Sequence, residues 1–538
     1  MADLSRTGAC SVDRGDRDQH GRRPGRPGGG TDGGPAMSPT PTISGHRGLD
    51  HEEPLIFELD HPGATGVDLP EPDTLPDRLG GLTRTTSLGL PGLSEPEVVR
   101  HYTRLSRQNY HIDGGFYPLG SCTMKHNPRL NERMARLPGF ADVHPFQPEE
   151  TVQGALALMD RLAHWLKTLT GMPAVALSPA AGAQGELCGV LAIRAALADR
   201  GELEQRRIVL VAQSAHGTNP ATAAACGFTV EAVPADARGR VDRAAFEARL
   251  GPDVAAVMLT NPNTCGLFEN DIIALSAAVH AAGGYVYMDG ANFNALVGRV
   301  RAADLGADAM HINLHKTFST PHGGGGPGAG PTVLSAALAP FAPLPLVLHD
   351  ETGFHLIEDE RAAHAAGLKP FGRLKGYHGQ FGVFVRALAY MLSLGIDGLR
   401  QASGDAVLNA NYLLASLSDT LSASYPGPCM HEALFDDRFL KDTGVSTLDF
   451  AKAMIDEGFH PMTMYFPLVV HGALLMEPTE TESRETLDQF IATVKGLAQR
   501  AQAGDVAFFK AAPTRTPRRR LDETRAARQP VLRWQALV

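Results

Sequence analysis

The feature that most constrains this chain is a rhythm between residues 185 and 314. Five short apolar runs, Ile208–Ala212, Thr229–Val233, Ala255–Leu259, Tyr285–Met288 and Ala309–Leu314, alternate with helical stretches such as Gly185–Ala198 and Ile272–Ala282. Strands separated by helices predict a largely parallel, doubly wound sheet, an α/β architecture. Ahead of them, Val152, Leu156, Met159, Leu162, Trp165, Leu166 and Leu169 recur near a 3.6-residue period and predict an amphipathic helix over Glu149–Leu169. After about Pro345 the pattern turns to longer helices and then mixed elements. The chain therefore reads as an extended arm over 51–100, a large domain over 101–345 and a smaller α+β C-terminal domain over 346–500.

The two ends differ in kind. Residues 1–50 are rich in Arg, Pro and Gly, cannot build a core and are expected to be disordered. Asp3, Asp13, Asp16 and Asp18 argue against a transit peptide there, and an alternative start at Met37 stays open. Residues 501–538 form a basic tail around Pro513–Arg520, read as a solvated or partner-contacting extension.

Bulk properties narrow the function classes. A net charge of −10 gives no general reason to expect nucleic-acid binding, and no run of about 18 apolar residues suggests a membrane span. The six cysteines are scattered and form no CxxC pair, which argues against a disulfide scaffold or structural zinc and fits the cytoplasm. No metal site is expected.

The chemistry concentrates at strand ends, where open α/β sheets bind ligands. The run His311–Phe318 carries Lys316, and Tyr285–Met288 leads into Asp289 and Gly290. A lysine for a Schiff base and an acid for a pyridinium nitrogen are a protein's two main contributions to pyridoxal 5'-phosphate chemistry. Leu314 and Phe318 imply partial burial, which lowers a lysine pKa and frees the amine to attack an aldehyde. The small residues Ala180, Ala181 and Gly182, opening a helix, let backbone amides approach a phosphate.

Three further segments face the same crevice. His216, after Ile208–Ala212, can stack on the cofactor ring. The cluster Thr260–Thr264 can donate to the cofactor's phenolic oxygen or to substrate, although Asn261-Pro262 also makes a turn. The tetraglycine Gly323–Gly326 lacks the phosphate-loop lysine pattern and reads as a lid or a close backbone approach.

Longer motifs carry a family resemblance. Glu53–Leu59, Tyr117-Pro118-Leu119-Gly120-Ser121-Cys122-Thr123-Met124-Lys125, Pro179–Glu186, Ala215–Ala221, Thr260–Glu269, Asp289–Gly298, Asn313–Gly330, Ala406–Tyr412 and Met464–Pro467 occur in order. Over roughly residues 50–535 the chain resembles the P-protein of the glycine cleavage system, glycine dehydrogenase (decarboxylating), an oxidoreductase. The likeness is to the second, C-terminal-half subunit of its two-subunit bacterial form. Local departures occur at Gly379–Gly382 and His349–Leu368.

The resemblance implies the aminotransferase-like fold (fold type I) of enzymes that use pyridoxal phosphate. It also implies decarboxylation of glycine, with transfer of the aminomethyl group to the lipoyl arm of an H-protein. A homologous N-terminal-half subunit would complete an α2β2 heterotetramer. Lys316, Asp289 and His216 would be catalytic, with Ala180, Ala181, Gly182, Thr260, Asn292 and His315 binding the cofactor and Asn294 a further orienting group. Other readings stay open: an aminotransferase, a desulfurase using Cys265 or Cys122, a silent subunit, or a module that binds lipoylated protein without turnover.

Overall fold

Seven strands form the central sheet: β1 (Ala174–Ala176), β2 (Ile208–Ala212), β3 (Thr229–Val233), β4 (Val254–Thr260), β5 (Tyr285–Asp289), β6 (Ala309–His311) and β7 (Thr332–Leu334). The computed structural model describes residues 52–534 apart from 68, 71, 72, 74, 75, 77 and 323–327. The expectations for residues 1–50 and for the tetraglycine lie outside the described residues. Strand order is β1-β7-β6-β5-β4-β2-β3. Strands β3, β2, β4, β5 and β6 run parallel, and β7 is antiparallel to both its neighbours.

Alternation within the strands feeds two cores, as side chains of period two must. Leu210, Val257, Leu259, Val286, Met288 and Met310 pack on one face with Leu162 and Leu166 of the Gln153–Thr170 helix. Val209, Val211, Ala256, Met258, Tyr287 and Ala309 pack on the other with Val190, Ile193 and Leu197 of the Gly182–Asp199 helix. Truncating a fully buried leucine such as Leu166 to alanine would cost about 2–5 kcal/mol. The first of these helices ends at Gly171, whose φ of 72° is the left-handed conformation that stops a helix cheaply.

One expected element is shorter than its apolar run. Strand β6 ends at His311; Ile312 and Leu314 still donate to the Pro331 and Ala329 carbonyls, but Leu314–Thr317 already forms a single helical turn. Lys316 therefore projects from a turn beyond the strand, not from the strand end. Ile312 and Leu314 are apolar because they are buried on the way into that turn.

The hairpin Leu346–Asp350 with Gly353–Ile357 packs on the Gln153–Thr170 helix. The helix Phe381–Leu417 then runs from one core to another: Val383, Phe384 and Met391 join the sheet core, whereas Leu413 and Leu417 join a C-terminal core with Phe435, Phe450 and Phe490. A break at Gly395 (φ 62°, ψ −175°) separates the two halves. Among the described helices this is the one long and apolar enough to cross a membrane, and its apolar side chains are taken up by these two cores. Ser422–Ala423, Ala433–Asp436, Leu474–Met476 and Thr463–Met464 form a four-stranded antiparallel sheet in that spatial order. The basic tail folds back on this domain, with Phe509 buried and Arg520 Nη2 2.8 Å from Asp449 Oδ1.

Candidate active site

A cavity of about 400 Å³ opens at the carboxyl ends of β2, β4, β5 and β6, within the usual range for small-ligand sites. Gly182, His216, Thr260, Asp289, Asn292, His315 and Lys316 all line it, so seven of the nine anticipated residues meet there. Ala180 and Ala181 lie just before the helix and do not reach the wall; Gly182 and Ala183 do.

Lys316 is half-buried among Leu314, Thr317 and Phe318, and its Nζ donates to the Ser121 carbonyl at 2.8 Å. Ser121 has a φ of 59°, a strained conformation for a residue with a side chain. The segment Leu119–Cys122 thus forms the wall opposite the Leu314–Thr317 turn.

Asp289 ends β5 with only 2% of its surface exposed. Its Oδ1 accepts from the Ala291 N–H at 2.9 Å and its Oδ2 from the Asn219 amide at 3.1 Å. Burial works to raise its pKa, but the His311 imidazole, the Ala291 N–H and the Asn219 amide prevail and hold it below the usual carboxylate value. An ionised carboxylate therefore sits buried in the pocket wall. Neither Asn219 nor His311 was assigned a role from sequence. The registers Tyr287↔Ala309 and Met288↔Met310 place His311 beside Asp289, so strand pairing could have found it.

The remaining walls are shaped by close packing. A Cβ on Gly185 would meet His311 Cβ at 2.5 Å, and one on Gly189 would meet the Tyr287 ring at 2.6 Å. Those contacts require glycine and bring the Gly182–Asp199 helix onto the sheet. No side chain caps the start of that helix, which leaves its positive end to an anion. Glu186, in its first turns, accepts from Thr218 Oγ1 at 2.7 Å, and Thr218 Oγ1 lies 2.8 Å from His216 Nδ1. Burial and then Asp289 raise the Glu186 pKa.

Other side chains complete the rim. Burial, His322 and Lys316 push His315 down to about 3, so it is a neutral imidazole. Asn292 Nδ2 donates to the Pro262 carbonyl at 2.9 Å, tying it to the Thr260–Thr264 loop. Thr260 Oγ1 is buried without a hydrogen-bond partner among the described residues. Asn294 turns away from the cavity to Lys125 and Glu480.

These groups fit pyridoxal phosphate: an amine for its aldehyde, a buried anion for its ring nitrogen, a helix start for its phosphate and an unpartnered hydroxyl nearby. They do not suit a desulfurase. Burial pushes the Cys265 thiol up to about 12, and it also raises Cys122. A nucleophilic cysteine needs the opposite shift.

Comparison with known proteins identifies a family. Residues 188–326 match the family model "Aminotransferase class-V", and residues 402–511 match "Glycine dehydrogenase, C-terminal domain". A protein of Caulobacter vibrioides named glycine dehydrogenase (decarboxylating) subunit 2 is 66% identical, over 92% of this chain and 94% of that one. One of the same name from Pyrococcus furiosus is 49% identical over 90% of this chain and 96% of its own. Among solved structures, an inhibitor-bound glycine decarboxylase (P-protein) of the glycine cleavage system aligns with a TM-score of 0.65 and 25% identity. That alignment covers 78% of this chain and 93% of the other. A cysteine desulfurase from Thermococcus onnurineus shares the fold at a TM-score of 0.56 and 14% identity, covering 72% of this chain and 95% of its own. With relatives this similar along nearly their whole lengths, the chain belongs to the glycine dehydrogenase (decarboxylating) subunit 2 family.

Proposed function

We propose that this chain is the pyridoxal-phosphate-carrying subunit of a glycine decarboxylase, and that it passes the aminomethyl group to the lipoyl arm of an H-protein. The observation that carries the reading is the convergence of Lys316, Asp289 and an uncapped helix start on one cavity. Bound there, pyridoxal phosphate supplies the electron sink that accepts the electron pair left when glycine loses CO2.

The protein's part is to hold, orient and exclude water. Lys316 would hold the cofactor through its aldehyde, its amine being placed in the cavity beside the Ser121 carbonyl. Asp289 keeps a proton on the ring nitrogen, because its own low pKa leaves the charge on the carboxylate. His216, its rotation limited by its bond to Thr218, would stack on the cofactor ring. The Gly182 and Ala183 amides at the helix start would take the phosphate, and Thr260 Oγ1 and Asn292 would bind oxygen atoms of the cofactor. His315, neutral at physiological pH, orients the substrate side.

Relatives named "subunit 2" imply a companion subunit. We assign that role to a homologous N-terminal-half chain in an α2β2 assembly, placed in the cytoplasm, where the five unpaired described cysteines would remain reduced.

Exchange of labelled bicarbonate into the carboxyl group of glycine tests the reading. Exchange is expected in a mixture of this chain, its companion and lipoylated H-protein, and Lys316→Ala should abolish it. No exchange with cofactor-loaded, fully lipoylated components would reject glycine as the substrate.

A further inference from the structure

Behind the pocket wall lies a second buried lysine with no role in the chemistry above. Lys125 is 2% exposed, and its three Nζ protons are shared among four oxygens: Glu480 Oε1 at 2.6 Å, the Thr317 carbonyl at 2.8 Å, Asn294 Oδ1 at 2.9 Å and the Tyr390 hydroxyl at 3.2 Å. These acceptors come from the C-terminal domain, the catalytic turn, the loop after β5 and the long helix. Asn294 Nδ2 and the Tyr390 hydroxyl also donate to Glu480, so the group closes on itself.

Stability alone gives little reason for such a knot. A buried ion pair seldom outperforms well-packed apolar side chains of the same volume, because both charges must leave water. The pair does fix one geometry. Thr317 directly follows Lys316, and its carbonyl lies at the end of a one-turn helix, where such groups lack intrahelical donors. Lys125 supplies that donor.

The two lysines form a reciprocal clasp. Lys316 Nζ grips the backbone of the 121–125 segment at Ser121, and Lys125 Nζ grips the backbone of the catalytic turn at Thr317. Two buried carboxylates secure the segment from behind. Glu432 Oε2 accepts from the Ser121 N–H at 2.7 Å, and Glu477 accepts from the Thr123 hydroxyl. A shift of the Thr317 carbonyl would move the root of the Lys316 side chain relative to Ser121 and the ring.

We propose that Lys125 is a positioning residue for Lys316, setting the direction of the catalytic amine through the Thr317 carbonyl. The inference rests on Lys316 being the Schiff-base lysine. It deepens that reading by naming the residue that aims it.

Two variants test it in the complete enzyme. Lys125→Met/Glu480→Gln removes both charges together and leaves no unpaired ion. Lys125→Arg keeps the charge for Glu480 but relocates the donors. Melting temperature, the pH titration of the Schiff-base absorbance and bicarbonate exchange are read for each. The double variant should melt within a few degrees of the parent, titrate at a displaced pH and lose about 10- to 100-fold in kcat, since an ångström of misplacement costs that much. KM for glycine should change far less. Should the double variant fail to fold, Lys125→Arg decides by the same titration. A folded variant with parental titration and kcat overturns the proposal, as does loss of folding in both variants, which would make Lys125 structural. The titration needs no turnover, so an absence of exchange in the parent would count against glycine decarboxylation and leave Lys125 to be judged by spectrum.

Discussion

Asp289 and His311 end neighbouring parallel strands, with His311 Nε2 3.4 Å from Asp289 Oδ1. With the Ala291 N–H and the Asn219 amide, the pairing holds a buried carboxylate in its ionised form. Removing the charge while keeping the shape should show its worth. Asp289→Asn is expected to keep Lys316 and its cofactor but lose on the order of 10²–10³ in exchange rate, the usual scale for one preorganised electrostatic group. A variant with a full Schiff-base spectrum and near-parental exchange would show that the ring nitrogen needs no anion.

Two glycines should respond in opposite directions. A Cβ at Gly290 would lie 1.8 Å from the His311 carbonyl, a backbone atom with nowhere to go. Gly290→Ala should therefore push β5 and β6 apart, cost at least about 1–3 kcal/mol and weaken cofactor retention. Gly496 lies inside the helix Arg484–Gln502, and a Cβ there meets nothing within 4 Å. Gly496→Ala should raise stability by about 0.5–1 kcal/mol through backbone entropy. Melting temperatures of the two variants would decide both.

Glu477 makes stability pH-dependent. Burial outweighs the Thr123 hydroxyl and the nearby lysines and pushes its carboxyl from 4.5 up to about 7. The folded chain then holds a proton that the unfolded chain releases above 4.5. Stability from this group is complete below that value, falls as pH rises to about 7 and is level beyond. One proton of difference corresponds to a slope of at most about 1.4 kcal/mol per pH unit. Glu477→Gln should flatten the curve between these limits, and a slope equal to the parent's would place the proton elsewhere.

Much of the frame was legible in the residues. Ile208–Ala212 matches its strand residue for residue, because a continuous apolar run of that length is what a sheet covered on both faces requires. Thr229–Val233 matches too, although it carries Glu231 and lies partly exposed at the sheet edge. The run ending at Leu314 misled, since burial alone does not distinguish the end of a strand from a short helical turn. Lys316, Asp289 and Gly182 were legible because each follows an apolar run or opens a helix. Lys125 gave no local signal of its role: its partners lie between 169 and 355 residues away in sequence. Asn219 was hidden for a similar reason, as its partner Asp289 lies 70 residues downstream.

The Ser121 carbonyl that receives the Lys316 amine belongs to a segment fastened by Glu432, Glu477 and Glu480, all far downstream in the chain. During synthesis the sheet and the catalytic turn can leave the ribosome well before those carboxylates exist. A nascent chain ending short of residue 477 thus has both lysines of the clasp but not Glu477 and Glu480, which secure it. Cofactor capture in its final geometry becomes one of the last events of biogenesis, and truncated products are left with an unaimed amine.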